Sequence, residues 1–149
     1  MYKRQSDDRA FVVTVHQGNL AEIAAGTDTR MNAQDPCVKD VGRTLVKDHT
    51  ELDTDIKALA EKLDITLPAK PTAARQQQLK DIQGEAGSPG YDVAWLKAQA
   101  EAHQATLKAI DDEIANGTDA RVVAAAKDAR PVVAMHLDMV RGGTCHVMG

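Results

Sequence analysis

Aromatic side chains are scarce in this chain, with one Trp, two Tyr and one Phe among 149 residues. That leaves no platforms on which bases could stack, and it requires an aliphatic, alanine-rich core of the kind that suits close helix packing. Long apolar runs are missing too: nothing approaches the 18 or so residues that span a bilayer, so no transmembrane segment is expected. Basic clusters are also lacking. The 18 Lys and Arg are outnumbered by 22 Asp and Glu for a net charge of −4, and no stretch tracks phosphates, which removes nucleic acid from the expected partners. Cysteine is limited to Cys37 and Cys145, with no C-x-x-C spacing. One disulfide in an oxidising compartment and two free thiols are equally compatible with that number. No strand-like alternation or internal repeat is present, and no apolar segment follows the basic start, so a signal peptide is not expected in this chain.

What is present is helical periodicity. Over residues 38–63 a seven-residue step puts Val38, Leu45, Leu52 and Leu59 on one line and Gly42, His49, Ile56 and Leu63 on another. Two such lines form the buried seam of an amphipathic helix. Asp35-Pro36 is its start signal, an acidic N-cap with proline at the first helical position. An earlier helix, with Asp8 as candidate N-cap, carries Phe11, Val12, Val15, Leu20 and Ile23. His16, Asn19 and Glu22 fall inside its apolar arc and need partners there. Leu67-Pro68-Ala69-Lys70-Pro71 breaks the pattern. Residues 72–83 read as a short extra helix and residues 84–90 as a loop.

A third long helix has Leu96, His103 and Ile110 on one line and Ala100, Leu107 and Ile114 on the other. Asn116-Gly117 stops it. In the fourth, Val122, Ala129 and His136 face as Ala126, Val133 and Val140 do, and Pro131 should kink it. The expected fold is therefore all-α, a four-helix bundle with a long second-to-third crossover containing a short extra helix. The bundle should span residues 8–141, with flexible termini at 1–7 and 142–149.

His49, His103 and His136 thus lie on core lines of three different helices. The long crossover lets the second and third helices descend from the same end, putting His49 and His103 each about 13 residues, or roughly 20 Å, below it. Glu22 and His136 come close to that level from the first and fourth helices. The same topology brings Cys37 and Cys145 to one end, as a disulfide requires.

Six ordered blocks carry a resemblance. They are Asp8-Arg9-Ala10-Phe11-Val12, the segment from His16 to Gly26, Val46-Lys47-Asp48-His49, Ile65-Thr66-Leu67-Pro68, Tyr91-Asp92-Val93-Ala94-Trp95-Leu96 ahead of Ala102-His103, and Pro131-Val132-Val133-Ala134-Met135-His136-Leu137. Together they resemble the bacterial exported family called domain of unknown function 4142. The resemblance implies a ferritin-like bundle, usually behind a signal peptide and hence periplasmic or extracellular, with no settled activity.

The expected site is a metal centre of His49, His103, His136 and Glu22, with His16 in support. Three imidazoles and a carboxylate suit one divalent ion, zinc or copper ahead of iron. Di-iron oxidase chemistry is disfavoured because the chain has no Glu-x-x-His pair. Metal binding or sequestration in the cell envelope is the leading expectation. The alternative is a non-catalytic envelope or stress-associated interaction module whose buried His and Glu side chains only hydrogen-bond one another. Nothing in the sequence fixes the oligomeric state. Asp48 must point about 100° away from His49, toward solvent or a neighbouring helix. His146 and Met148 beside Cys145 are read as terminus, not as a copper site.

Overall fold

The computed structural model describes residues 5–146. Five α-helices follow one another: α1 (Gln5–Asn32), α2 (Pro36–Lys62), α3 (Ala73–Gln83), α4 (Pro89–Asn116) and α5 (Ala120–Val140). A single 3-10 turn (Arg141–Gly143) closes the series, and no strand occurs among the described residues. The architecture is the expected all-helical bundle: α1, α2, α4 and α5 are its rods, and the short α3 rides in the crossover. Residues 1–4 and 147–149, which include Met148, lie outside the described residues.

Cap chemistry sets most of the boundaries. The Asp35 carboxylate accepts from the Cys37 amide, and Thr72 and Asp119 accept from Arg75 and Arg121 in the same way. These side chains satisfy amides that the first helical turn leaves unbonded. The first helix departs from expectation at its start. Asp8 is not its cap but an interior residue of α1, 1% exposed. Its carboxylate instead accepts from the Thr118 and Asp119 amides and the Thr118 hydroxyl, bracing the turn into α5. At the other end α1 continues through the polar segment to Asn32. There the Thr27 and Thr29 hydroxyls donate to the helix's own carbonyls at Ile23 and Gly26, and Asn32 donates to Asp28. The fourth long helix runs unbroken through Pro131, whose ring costs it one backbone hydrogen bond.

Tertiary bonds fix the direction of each rod. At one end the Trp95 indole donates to the Ala25 carbonyl, Tyr91 to Asp28, and the Gln34 and Asp35 amides to Asp92. Cys37 and Cys145 are disulfide-bonded at that same end, their Cα atoms 6.2 Å apart. At the opposite end Arg9 donates to the Leu63 carbonyl and Asp8 meets Thr118. Helices α2 and α4 therefore run down together while α1 and α5 run up, which is what the long crossover permits.

α1 and α2 cross closely at Gly26 and Gly42. A Cβ on Gly26 would stand 2.5 Å from the Gly42 carbonyl oxygen and 2.9 Å from Val46 Cγ2. Two such hydrogens in place of side chains let the backbones meet there.

The apolar core comes in two pieces. One, near the disulfide, contains Val38, Val41, Leu45, Tyr91, Trp95, Leu96, Met139 and Val140. The other, near Asp8, contains Phe11, Val12, Ile56, Ile110, Val122, Ala126 and Val133. Every rod crosses from one to the other through a polar residue: Asn19 and Glu22 on α1, His49 and Asp53 on α2, Gln99 and His103 on α4, and His136 on α5, all buried. Dehydrating so many polar groups costs free energy that apolar side chains there would not, so this belt is where function is to be sought.

Candidate metal centre

The seven-residue lines deliver three imidazoles to the middle of the belt. One ring nitrogen each from His49, His103 and His136 lies within 4.8 Å of the other two, the group of that kind found among the described residues. Ring centroids are 5.0 Å apart for His49 and His136, 5.5 Å for His103 and His136, and 5.9 Å for His49 and His103. The rings are 4%, 2% and 0% exposed, in that order of residue number, so their hydrogen bonds must be met from within.

Each ring meets that requirement on its outer side only. His103 Nδ1 is 2.8 Å from the Gln99 carbonyl oxygen, one turn back along α4. His136 Nε2 is 2.7 Å from an Asp48 carboxylate oxygen. His49 Nδ1 is 2.8 Å from Asn19 Oδ1, and the Asn19 amide nitrogen donates to Asp53, which fixes which way that amide faces. In all three cases the outer atom is an oxygen acceptor, so the outer ring nitrogen carries the hydrogen and donates. The inner atoms, His49 Nε2, His103 Nε2 and His136 Nδ1, have no hydrogen-bond partner in the protein. They are three buried lone pairs, one from each of the three clustered rings.

Behind the rings lie orienting groups. Asp53 also accepts from His16 Nδ1 at 2.8 Å, and His16 Nε2 sits 2.7 Å from the Pro68 carbonyl oxygen. His16 is thereby linked to His49 through Asp53 and Asn19. Glu22 stands outside the close group: its Oε2 is 3.7 Å from His103 Nδ1, on the outer side of that ring, and 3.5 Å from the Arg75 guanidinium of α3. Its Oε1 is buried without a partner.

Some of these contributors escaped the sequence reading. Asp53 lies one turn beyond His49, a spacing that could have linked it to the unpartnered His16 and Asn19 of α1. Asp48 does reach a neighbouring helix, but that its target is His136 has no local signal. Arg75 belongs to a crossover helix whose lateral position periodicity does not determine.

Burial pushes the His49 imidazole well below its ordinary pKa, and the neighbouring His136, His103 and Arg75 charges add to the effect. Burial lowers His136 as well, partly offset by its bond to Asp48. A neutral ring is the form that ligates a metal. The same shift has a consequence for stability. Below pH 6.5 the unfolded chain protonates these rings while the folded chain resists, so acidification favours unfolding, by up to about 1.4 kcal/mol per ring per pH unit until the lowered folded pKa is reached. Above pH 6.5 the two states match and the effect vanishes. Metal-free protein should accordingly melt several degrees lower at pH 5 than at pH 7.5 in a thermal scan; a melting temperature that is flat or rises toward pH 5 would mean that these rings accept protons freely.

Comparison with known proteins adds two findings, and no curated protein matches the chain. The fold is similar to that of a solved structure, "CopM in the Cu(II)-bound form", with a TM-score of 0.74 at 13% sequence identity, over 90% of this chain and 93% of that one. Such identity speaks for the shared fold alone. The model of the family named Domain of unknown function (DUF4142) matches residues 2–142, nearly the whole chain, and the protein belongs to that family.

Proposed function

We propose that this protein binds one copper ion in the bundle interior, through His49 Nε2, His103 Nε2 and His136 Nδ1, and so sequesters copper in the cell envelope. The observation that carries the reading is the set of three inward lone pairs, each presented by a ring whose other nitrogen is already committed outward. A bundle that needed only a buried hydrogen-bond network would require at least one inward N–H, and none of the three rings offers one. Buried lone pairs facing each other without a hydrogen between them are costly alone and become donors once a cation is present.

Three neutral nitrogens suit copper or zinc, and the likeness to a structure solved with Cu(II) favours copper. When bound, the ion supplies a Lewis-acid centre with room for one more donor. The Gln99 carbonyl, Asp48 and Asn19 hold the tautomers and ring planes, a role that in other proteins is worth about 10–100-fold in affinity. The Glu22 carboxylate acts beside them as countercharge, kept near His103 by Arg75. The disulfide supports an oxidising compartment, as export would give, and no helix among the described residues is long and apolar enough to cross a membrane.

The test is a thermal scan of metal-free protein with added copper or zinc. Free ion at about 1,000 times Kd stabilises by about 4 kcal/mol, which for a chain of this size raises the melting temperature by roughly 10 °C. Copper should give that rise at one ion per chain, with zinc weaker. No shift with either ion would dismiss the reading.

A further inference from the structure

The rings do not close the belt on every side. Between α1 and α4 lies a cavity of about 150 Å³ bordered by His49, His103 and Glu22 at its inner end. Its walls are mostly apolar, with Val15, Leu52, Ile110 and Val133 beside the polar Asn19 and Thr106, and its mouth reaches solvent past the exposed Thr14 and Ala105. Gly18 lines it too, and a Cβ built there would meet nothing within 4 Å. His49, His103 and Glu22 each carry a buried atom that lacks a protein partner: His49 Nε2, His103 Nε2 and Glu22 Oε1. The polar groups are gathered toward one end, and the remaining, largely apolar length suits a small molecule of low polarity.

Building on the metal reading above, we propose that this cavity is a binding site for a small neutral molecule, of the class of carbon monoxide and other diatomic gases, which reaches the ion's remaining coordination position from the α1–α4 side. Apolar walls accept such a ligand without loss of hydration, whereas an anion would leave water to face the Glu22 carboxylate. Binding is by donation of a ligand lone pair and involves no electron transfer. The cavity thus selects for neutral over charged donors.

Two measurements test this together. Protein loaded anaerobically with copper(I) and equilibrated with carbon monoxide should show a single saturable C–O stretching band in the infrared. Gly18→Leu, which fills the open space, should weaken carbon monoxide binding at least tenfold while copper stoichiometry stays at one; Ala105→Leu, on the facing helix, should act in the same direction. Xenon uptake by the metal-free protein should fall with the same substitutions. A copper-loaded wild type that gives no carbonyl band, or a Gly18→Leu protein that binds carbon monoxide as tightly as wild type, overturns the proposal and leaves the metal centre standing. A wild type that takes up xenon but no copper overturns both the metal reading and the ligand position built on it.

Discussion

His103→Ala should weaken copper binding by more than about 100-fold, exceeding the range that supporting residues of metal sites span. The imidazole it removes sits 5.5 Å from His136 and 5.9 Å from His49, centroid to centroid, so the two remaining rings cannot surround an ion. Two nitrogens on a site built for three leave positions that only water or Glu22 could fill, and Glu22 is held on the outer side of the missing ring by Arg75. Apo stability should change far less than affinity. The substitution opens a small cavity but also removes a buried nitrogen without a partner, and these effects oppose one another. Isothermal titration with a competing chelator, paired with melting of the metal-free variant, separates the two. Copper affinity within threefold of wild type would show that His103 is a packing residue.

Removing the disulfide should give the largest loss of stability that leaves the centre working. Cys37 and Cys145 are 108 residues apart, and closing a loop of that length restricts the unfolded chain by about 4–5 kcal/mol in the chain-entropy account. For a chain of this size, the Cys37→Ser, Cys145→Ser double variant should melt roughly 10–15 °C below wild type. Copper stoichiometry should hold at one ion per chain, because His136 keeps its bond to Asp48 and lies on α5 between the buried Val133 and Val140. Reduction of the wild type should reproduce the shift. If the double variant and wild type melt within 2 °C of each other, the folded chain gains nothing from the bridge.

Much of this arrangement was legible in the sequence because it depends on spacing along single helices. A seven-residue step is enough to put His49 between Leu45 and Ile56, and a crossover too long for a simple turn is enough to reverse the third rod, so that rings from three helices share a level. The bridge between Cys37 and Cys145 follows from that reversal as one of two outcomes the composition allowed. What could not be read are the pairings between helices. Whether Asp48 finds His136, or Asp53 finds Asn19 and His16, depends on how far each rod is rotated about its axis, and a difference of one residue turns a side chain by 100°. Asp8 shows the same limit from the other side. As an acid ahead of an apolar run it has the credentials of an N-cap, but tertiary structure brings the α4–α5 turn against it, and three hydrogen bonds there outweigh one at a helix start.

Imidazoles from α2, α4 and α5 are proposed to converge on one ion, and X-ray absorption spectroscopy of the copper-loaded protein reads that ligand shell. The expected spectrum contains the multiple-scattering pattern of three imidazoles on each copper, falling to two in His136→Ala. A copper shell of oxygen or sulfur donors, or one with a single imidazole that persists in that variant, would place the ion elsewhere and contradict the account.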